Sequence, residues 1–284
     1  MHRPVEHLLA DLAPLAHADR EQLLTATARE LAGTGELSRV LSELDGRGRY
    51  ERRLAALAAL AARQTEYLAQ RLADPDPVVR SRALRAVRTL PVPDGAIEAA
   101  YEDASAEVRR DLARALLRSS RPELAERLAC VLRAEWGDAE AAVLLPACGP
   151  EFVSRLLPQL AHAVTGWARL GRSHPGPVLD LAAGELAELP EGLRENWWHR
   201  RAPGVAAALP AAPERVLALL ERYGPARLPR PLEQLTRDLV AADAERFVRW
   251  LTAPERGAGP LERLLPQPVL RRRGRADPPS RAPP

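Results

Sequence analysis

An all-α fold of stacked helix pairs is predicted from three observations. First, one helical unit is written twice within residues 72–118. Asp74 and Asp103 stand 103 − 74 = 29 residues apart, and the pair Val79-Arg80 returns as Val108-Arg109 at the same offset. A period in this range marks a stacked repeat, because one such unit cannot bury its apolar face alone. Second, each copy carries its apolar residues on one helical stripe, Val79, Ala83, Ala86, Val87 and Leu90 in the first and Val108, Leu112, Ala115 and Leu116 in the second. Third, aromatic residues are only 4% of the chain and Ile97 is its one isoleucine, so the core must be Leu, Ala and Val. That composition favours helices over strands.

Taken in order, residues 1–32 read as an opening helix broken by Pro14. A second helix follows, capped by Asp19 with Gln22 in the capping-box position and closed by Gly33. Leu37, Val40, Leu41 and Leu44 mark a short helix ended by Gly46. Tyr50 to Arg63 follows, and Thr65 is expected to cap a helix running to Leu72. Asp76 is a good N-cap with Pro77 at the first helical position, and Ser105 takes the cap in the second copy. Pro91 to Asp94 is a turn between the copies. Residues 122–135 and 138–146 read as another pair, hinged at Trp136-Gly137-Asp138. Beyond it Glu151, Gly176, Pro213 and Ala244 each open a Leu/Ala-rich helix. With Val153, Leu179, Leu217 and Val248 taken as equivalent, the steps are 179 − 153 = 26, 217 − 179 = 38 and 248 − 217 = 31 residues. The reading is one continuous array over 1–266 with no internal boundary, then a basic, Pro-rich disordered tail over 267–284.

The pattern set by Asp74, Asp76, Val79, Arg80 and again by Asp103, Ser105, Val108, Arg109 resembles the inner-helix signature of HEAT repeats, in particular the short variety of phycobilin lyases. A weaker copy begins at Asp45, since 74 − 45 = 29, with Tyr50-Glu51 where Val-Arg stands in the others. The resemblance implies a right-handed α-solenoid of antiparallel helix pairs. The chain is similar to the amino-terminal part of longer actinobacterial HEAT-repeat proteins, whose repeats would continue here.

All 41 basic residues are arginine. Without lysine, P-loop, Schiff-base and pyridoxal-phosphate chemistries are excluded. Residues 263–284 hold six arginines against Asp277, a balance of +5, which leaves 3 − 5 = −2 for the rest of the chain. The basicity therefore belongs to the tail and argues only weakly for a polyphosphate partner. Cys130 and Cys148 give no disulfide framework, the six histidines have no metal-ligand spacing, and no membrane-length apolar run occurs. A cytoplasmic protein with no cofactor, no metal and no membrane association is expected.

Arg85 and Arg114 recur at one helical position per copy and are candidate partner contacts, gripping carboxylates or phosphates. Arg80 and Arg109, at the other recurring position, are expected to bond the loops of adjacent units, and Arg82 to pair with Asp111 between units. Trp197, Trp198 and Arg200 form the most unusual local stretch. The indoles could stack on a base or hold a cation, but their role is expected to be packing, and on a regular helix two successive rings diverge by about 100°. Nothing resembles a catalytic constellation. The function expected is a non-catalytic scaffold that binds a partner protein on the concave face. Two alternatives stay open through family resemblance: a DNA-binding or alkylation-repair-like HEAT protein, and a chaperone similar to the chromophore lyases.

Overall fold

The computed structural model describes residues 5–102, 104–224 and Arg237. These contain fifteen α-helices, one 3-10 turn and no strand. The helices are α1 (Val5–Leu12), α2 (His17–Thr34), α3 (Leu37–Arg47), α4 (Arg49–Ala61), α5 (Thr65–Ala69), α6 (Pro77–Thr89), α7 (Asp94–Glu102), α8 (Ala106–Leu116), α9 (Pro122–Trp136), α10 (Asp138–Leu144), α11 (Pro150–Leu160), α12 (Trp167–Ser173), α13 (Pro175–Glu188), α14 (Glu191–Ala208) and α15 (Pro213–Tyr223). Asp103, the expected helix at Ala244 and the tail over 267–284 lie outside the described residues.

The chain forms two compact units that divide between Gly149 and Pro150, a place where the sequence suggests no boundary. In the first unit, consecutive helices pair as α3 with α4, α5 with α6, α7 with α8 and α9 with α10, and the second members make a row in which α4 touches α6, α6 touches α8 and α8 touches α10. The small residues of this row make the close approach possible: Ala55, Ala56, Ala59, Ala83 and Ala86 are all fully buried. In the second unit α11, α13 and α15 form one row, while α12 and α14 pack side by side.

The caps at the repeated unit are as the sequence predicts. The Asp76 side chain accepts from the amides of Val78 and Val79, and Ser105 Oγ accepts from Val108. Elsewhere the boundaries move. α2 begins at His17 with Ala16 at its cap, so Asp19 lies inside the first turn, where it still complements the helix dipole. The same helix runs past Gly33 and stops at Gly35, the residue with the left-handed φ of 77° that ends the spiral. Gln64, not Thr65, precedes α5, which ends at Ala69.

The second unit holds two helices that the sequence reading passed over. α12 fits within the first of the long steps, and the 18-residue α14 fills the 38-residue step between Leu179 and Leu217 despite Pro203 in its interior. An interior proline costs a helix about 3 kcal/mol. Here α14 is packed against α12, α13 and α15, and that burial outweighs the local penalty.

Candidate arginine cleft

With no lysine in the chain, arginine is the cationic side chain of this protein at neutral pH, and it is used in two distinct ways. Most of its sheltered guanidinium groups are tied to backbone carbonyls or carboxylates of a neighbouring turn or helix. Arg80 is 3% exposed and donates to the Asp74 carbonyl at 2.9 Å, to Glu107 at 2.5 Å and to Asp111 Oδ2 at 3.1 Å. It thus joins the turn before α6 to α8: the loop carbonyl it bonds belongs to its own unit, and the adjacent unit supplies carboxylates in place of the loop the sequence suggests. Arg109 repeats the motif, donating to the Ala104 carbonyl at 2.7 Å, approaching Glu140 at 3.5 Å and lying 4.5 Å from the centre of the Trp136 ring. Arg121 bonds the carbonyls of Leu90 and Val92, and Arg20 those of Leu12, Ala13 and Leu15.

Arg82 does not pair with Asp111. It donates to the carbonyl of Arg53, its counterpart one period upstream, and reaches Glu21 at 3.5 Å. The offset in sequence is right, but the side chain leans toward the preceding repeat, leaving Asp111 to Arg80 and Arg114.

Asp76 is the acidic counterpart of these ties. Its carboxylate caps α6 and accepts from Arg49 Nε at 2.6 Å and Arg53 Nε at 3.0 Å. Burial alone would raise its pKa; the bonds from Arg49, Arg53, Val78 and Val79 outweigh that and hold the carboxyl well below the usual carboxylate range. A group depressed in the folded state contributes stability above its unfolded value, about 3.9, and loses it as the pH falls toward the folded value. The stability difference between wild type and Asp76→Asn, measured by urea unfolding, is therefore expected to be constant above about pH 5 and to shrink steadily below about pH 4.

Arg85 and Arg114 belong to the second kind. The structure brings them together in a cleft of about 270 Å³ between α6 and α8, where Arg88, Arg118 and Asp111 join them over Leu84 and Ala115. Arg88 and Arg118 were not singled out in the sequence. The signal was present: 88 − 85 = 3 places Arg88 beside Arg85 on α6, and Arg118 follows Arg114 by four residues, just past the end of α8. All four arginines are exposed. The single carboxylate of the cleft, Asp111, has Oδ2 bonded to Arg80 and Oδ1 bonded to Arg114 at 2.9 Å. Arg85, Arg88 and Arg118 have no carboxylate partner among the described residues. A second cleft, lined by Arg49, Arg52, Pro75 and Asp76, differs in that Arg49 is bonded to Asp76 and Arg52 lies 3.8 Å from Asp45.

The two indoles of the tryptophan stretch are no part of a surface. Trp198 is fully buried and Trp197 is 6% exposed; their rings meet edge to face at 5.1 Å. Trp197 Nε1 donates to Glu185 and Trp198 Nε1 to the Tyr223 carbonyl. Their place among the candidate partner contacts is corrected, and the packing role stands. Both indoles enter one core despite their divergence because α14 is covered from several sides at once. Arg200 is exposed on α14, in the second unit.

Among the described residues no His, Cys, Asp and Glu side chains gather as a metal-ligand set, and no helix is long and apolar enough to cross a membrane. Burial, helped by the nearby Glu126 and Cys130, pushes the Cys148 thiol up to about 12, which leaves it protonated and unreactive at neutral pH. Comparison with protein-family models, curated proteins and solved structures finds no match.

Proposed function

We propose that this protein is a cytoplasmic, non-catalytic interaction scaffold whose first unit is a HEAT-like, right-handed stack of helix pairs. It binds a partner protein on the concave face lined by the second helix of each pair. The observation that carries this reading is the α6–α8 cleft, where four exposed arginines gather around one carboxylate and Arg85, Arg88 and Arg118 stand without carboxylate partners among the described residues. Such groups cost the fold like-charge repulsion and are stabilised by an anionic visitor. The DNA-binding alternative draws on the same arginines. It is disfavoured by charge: residues 1–149 contain 21 arginines against 23 acids, a balance of −2, so the positive field does not extend past the cleft.

The test is affinity purification of the tagged full chain from its native cells beside an Arg85→Glu/Arg114→Glu variant that melts at the wild-type temperature. A defined set of proteins retained by the wild type and lost from the variant is expected. Recovery that the substitutions leave unchanged overturns the assignment of the binding face.

A further inference from the structure

The chemistry of the α6–α8 cleft indicates what kind of partner it takes, if the scaffold reading holds. Neighbouring helices in the first unit are repeatedly joined by an arginine on one element and a carboxylate on the next. Arg49 and Arg53 of α4 meet Asp76 at the start of α6, Arg80 of α6 meets Glu107 and Asp111 of α8, and Arg127 of α9 meets Asp94 and Glu98 of α7. In the cleft this series is half complete. Two arginine pairs face it, Arg85 with Arg88 and Arg114 with Arg118, and its one carboxylate has both oxygens already engaged.

We propose that the cleft receives an acidic peptide segment of a partner protein, whose Asp or Glu carboxylates lie between these two arginine pairs and complete the series. The guanidinium fork matches a planar carboxylate, which it can bind through two parallel N–H bonds. The dimensions agree with this occupant: about 270 Å³ holds one or two acidic side chains. Leu84 and Ala115 supply an apolar floor for their methylene groups. A nucleic-acid backbone fits less well, because it must continue beyond the cleft over a unit with more acids than arginines. Asp111, whose carboxylate remains in the floor, sets the register by repelling any acid placed directly over it.

The experiment is fluorescence anisotropy on the full chain at low salt with labelled hexaglutamate, and with hexaglutamine, a phosphoserine peptide and a short DNA duplex as comparisons. Two variants with the same charge change are measured: Arg85→Glu/Arg114→Glu in the cleft, and Arg29→Glu/Arg39→Glu at exposed positions of α2 and α3, neither of which lines it. Residues 267–284 are identical in all three proteins, so any attraction by that arginine-rich stretch cancels. Hexaglutamate is expected to bind and hexaglutamine not, with Kd raised about tenfold, equivalent to about 1.4 kcal/mol, in the cleft variant. The control variant is expected to stay within about twofold of wild type, as a distant screened charge should. Equal weakening in both variants overturns the proposal, since the attraction is then general. So does binding of the phosphoserine peptide or the duplex, but not of hexaglutamate, through the same arginines. If hexaglutamate fails to bind while partner capture in cells still depends on Arg85 and Arg114, the acidic occupant is wrong and the scaffold stands.

Discussion

Gly171→Ala is expected to destabilise the second unit by about 3 kcal/mol, and to lower its melting temperature by about 6–12 °C. α12 and α14 cross with glycine against glycine. A Cβ on Gly171 would stand 2.0 Å from the carbonyl oxygen of Gly204 and 2.9 Å from its carbonyl carbon. The obstacle is backbone, so no rotamer change relieves it; the helices must part. Their separation would also disturb Trp167, which packs against Gly204, and Arg201, whose guanidinium lies 4.2 Å over the Trp167 ring and donates to the Ala161 carbonyl. Trp167, Trp197 and Trp198, three of the five tryptophans, are all buried here, so tryptophan fluorescence reports chiefly on the change. Gly184→Ala is the control. It lies exposed within α13 with nothing within 4 Å of an added Cβ, and the substitution should stabilise by about 0.5–1 kcal/mol through a less flexible unfolded chain. Equal melting temperatures for the two variants would show that the crossing is looser than described.

That glycine crossing also explains why the second unit was hard to read in the sequence. Local propensity takes Gly171, Gly204 and Pro203 as signs against helix, yet the glycines permit the close crossing of α12 and α14 and the proline is carried by packing on several sides. The first unit was legible because its signals agree: Asp76 before Pro77, Ser105 before Val108, and small residues on the stripe that faces the next helix. What a repeat offset cannot say is which way a long side chain leans. Arg80 and Arg82 are two residues apart, and both had an acid within reach of one repeat. Only coordinates tell that Arg80 goes forward to Asp111 and Arg82 back to Arg53. The two tryptophans teach a related point. Successive positions do diverge by about 100° on a helix, but that separates two rings only when one side of the helix is covered.

Arg80→Ala is expected to cost about 2–3 kcal/mol, because it leaves the Asp74 carbonyl and Oδ2 of the half-buried Asp111 without a charged donor while the exposed Glu107 returns to water. The Asp74 carbonyl, Glu107 and Asp111 Oδ2 all lose a donor at once. Arg85→Ala, a change of the same kind only five residues away on the exposed face, should fall within about 0.5 kcal/mol of wild type. Urea unfolding followed by circular dichroism distinguishes them, and an Arg80→Ala cost no greater than that of Arg85→Ala would remove Arg80 from its structural role. Pairing the substitution with Asp111→Ala tests the link directly: the double variant should lose less than the two single losses added together, since each removes the same bond. The consequence reaches the cleft. Once Arg80 is gone, Asp111 no longer shares its charge with a buried guanidinium, and the cleft floor becomes more negative. Arg80→Ala protein that remains folded should therefore bind hexaglutamate more weakly than wild type, although Arg80 is not among the residues lining the cleft. The arginine that holds two repeats together would then also set the affinity of the surface between them.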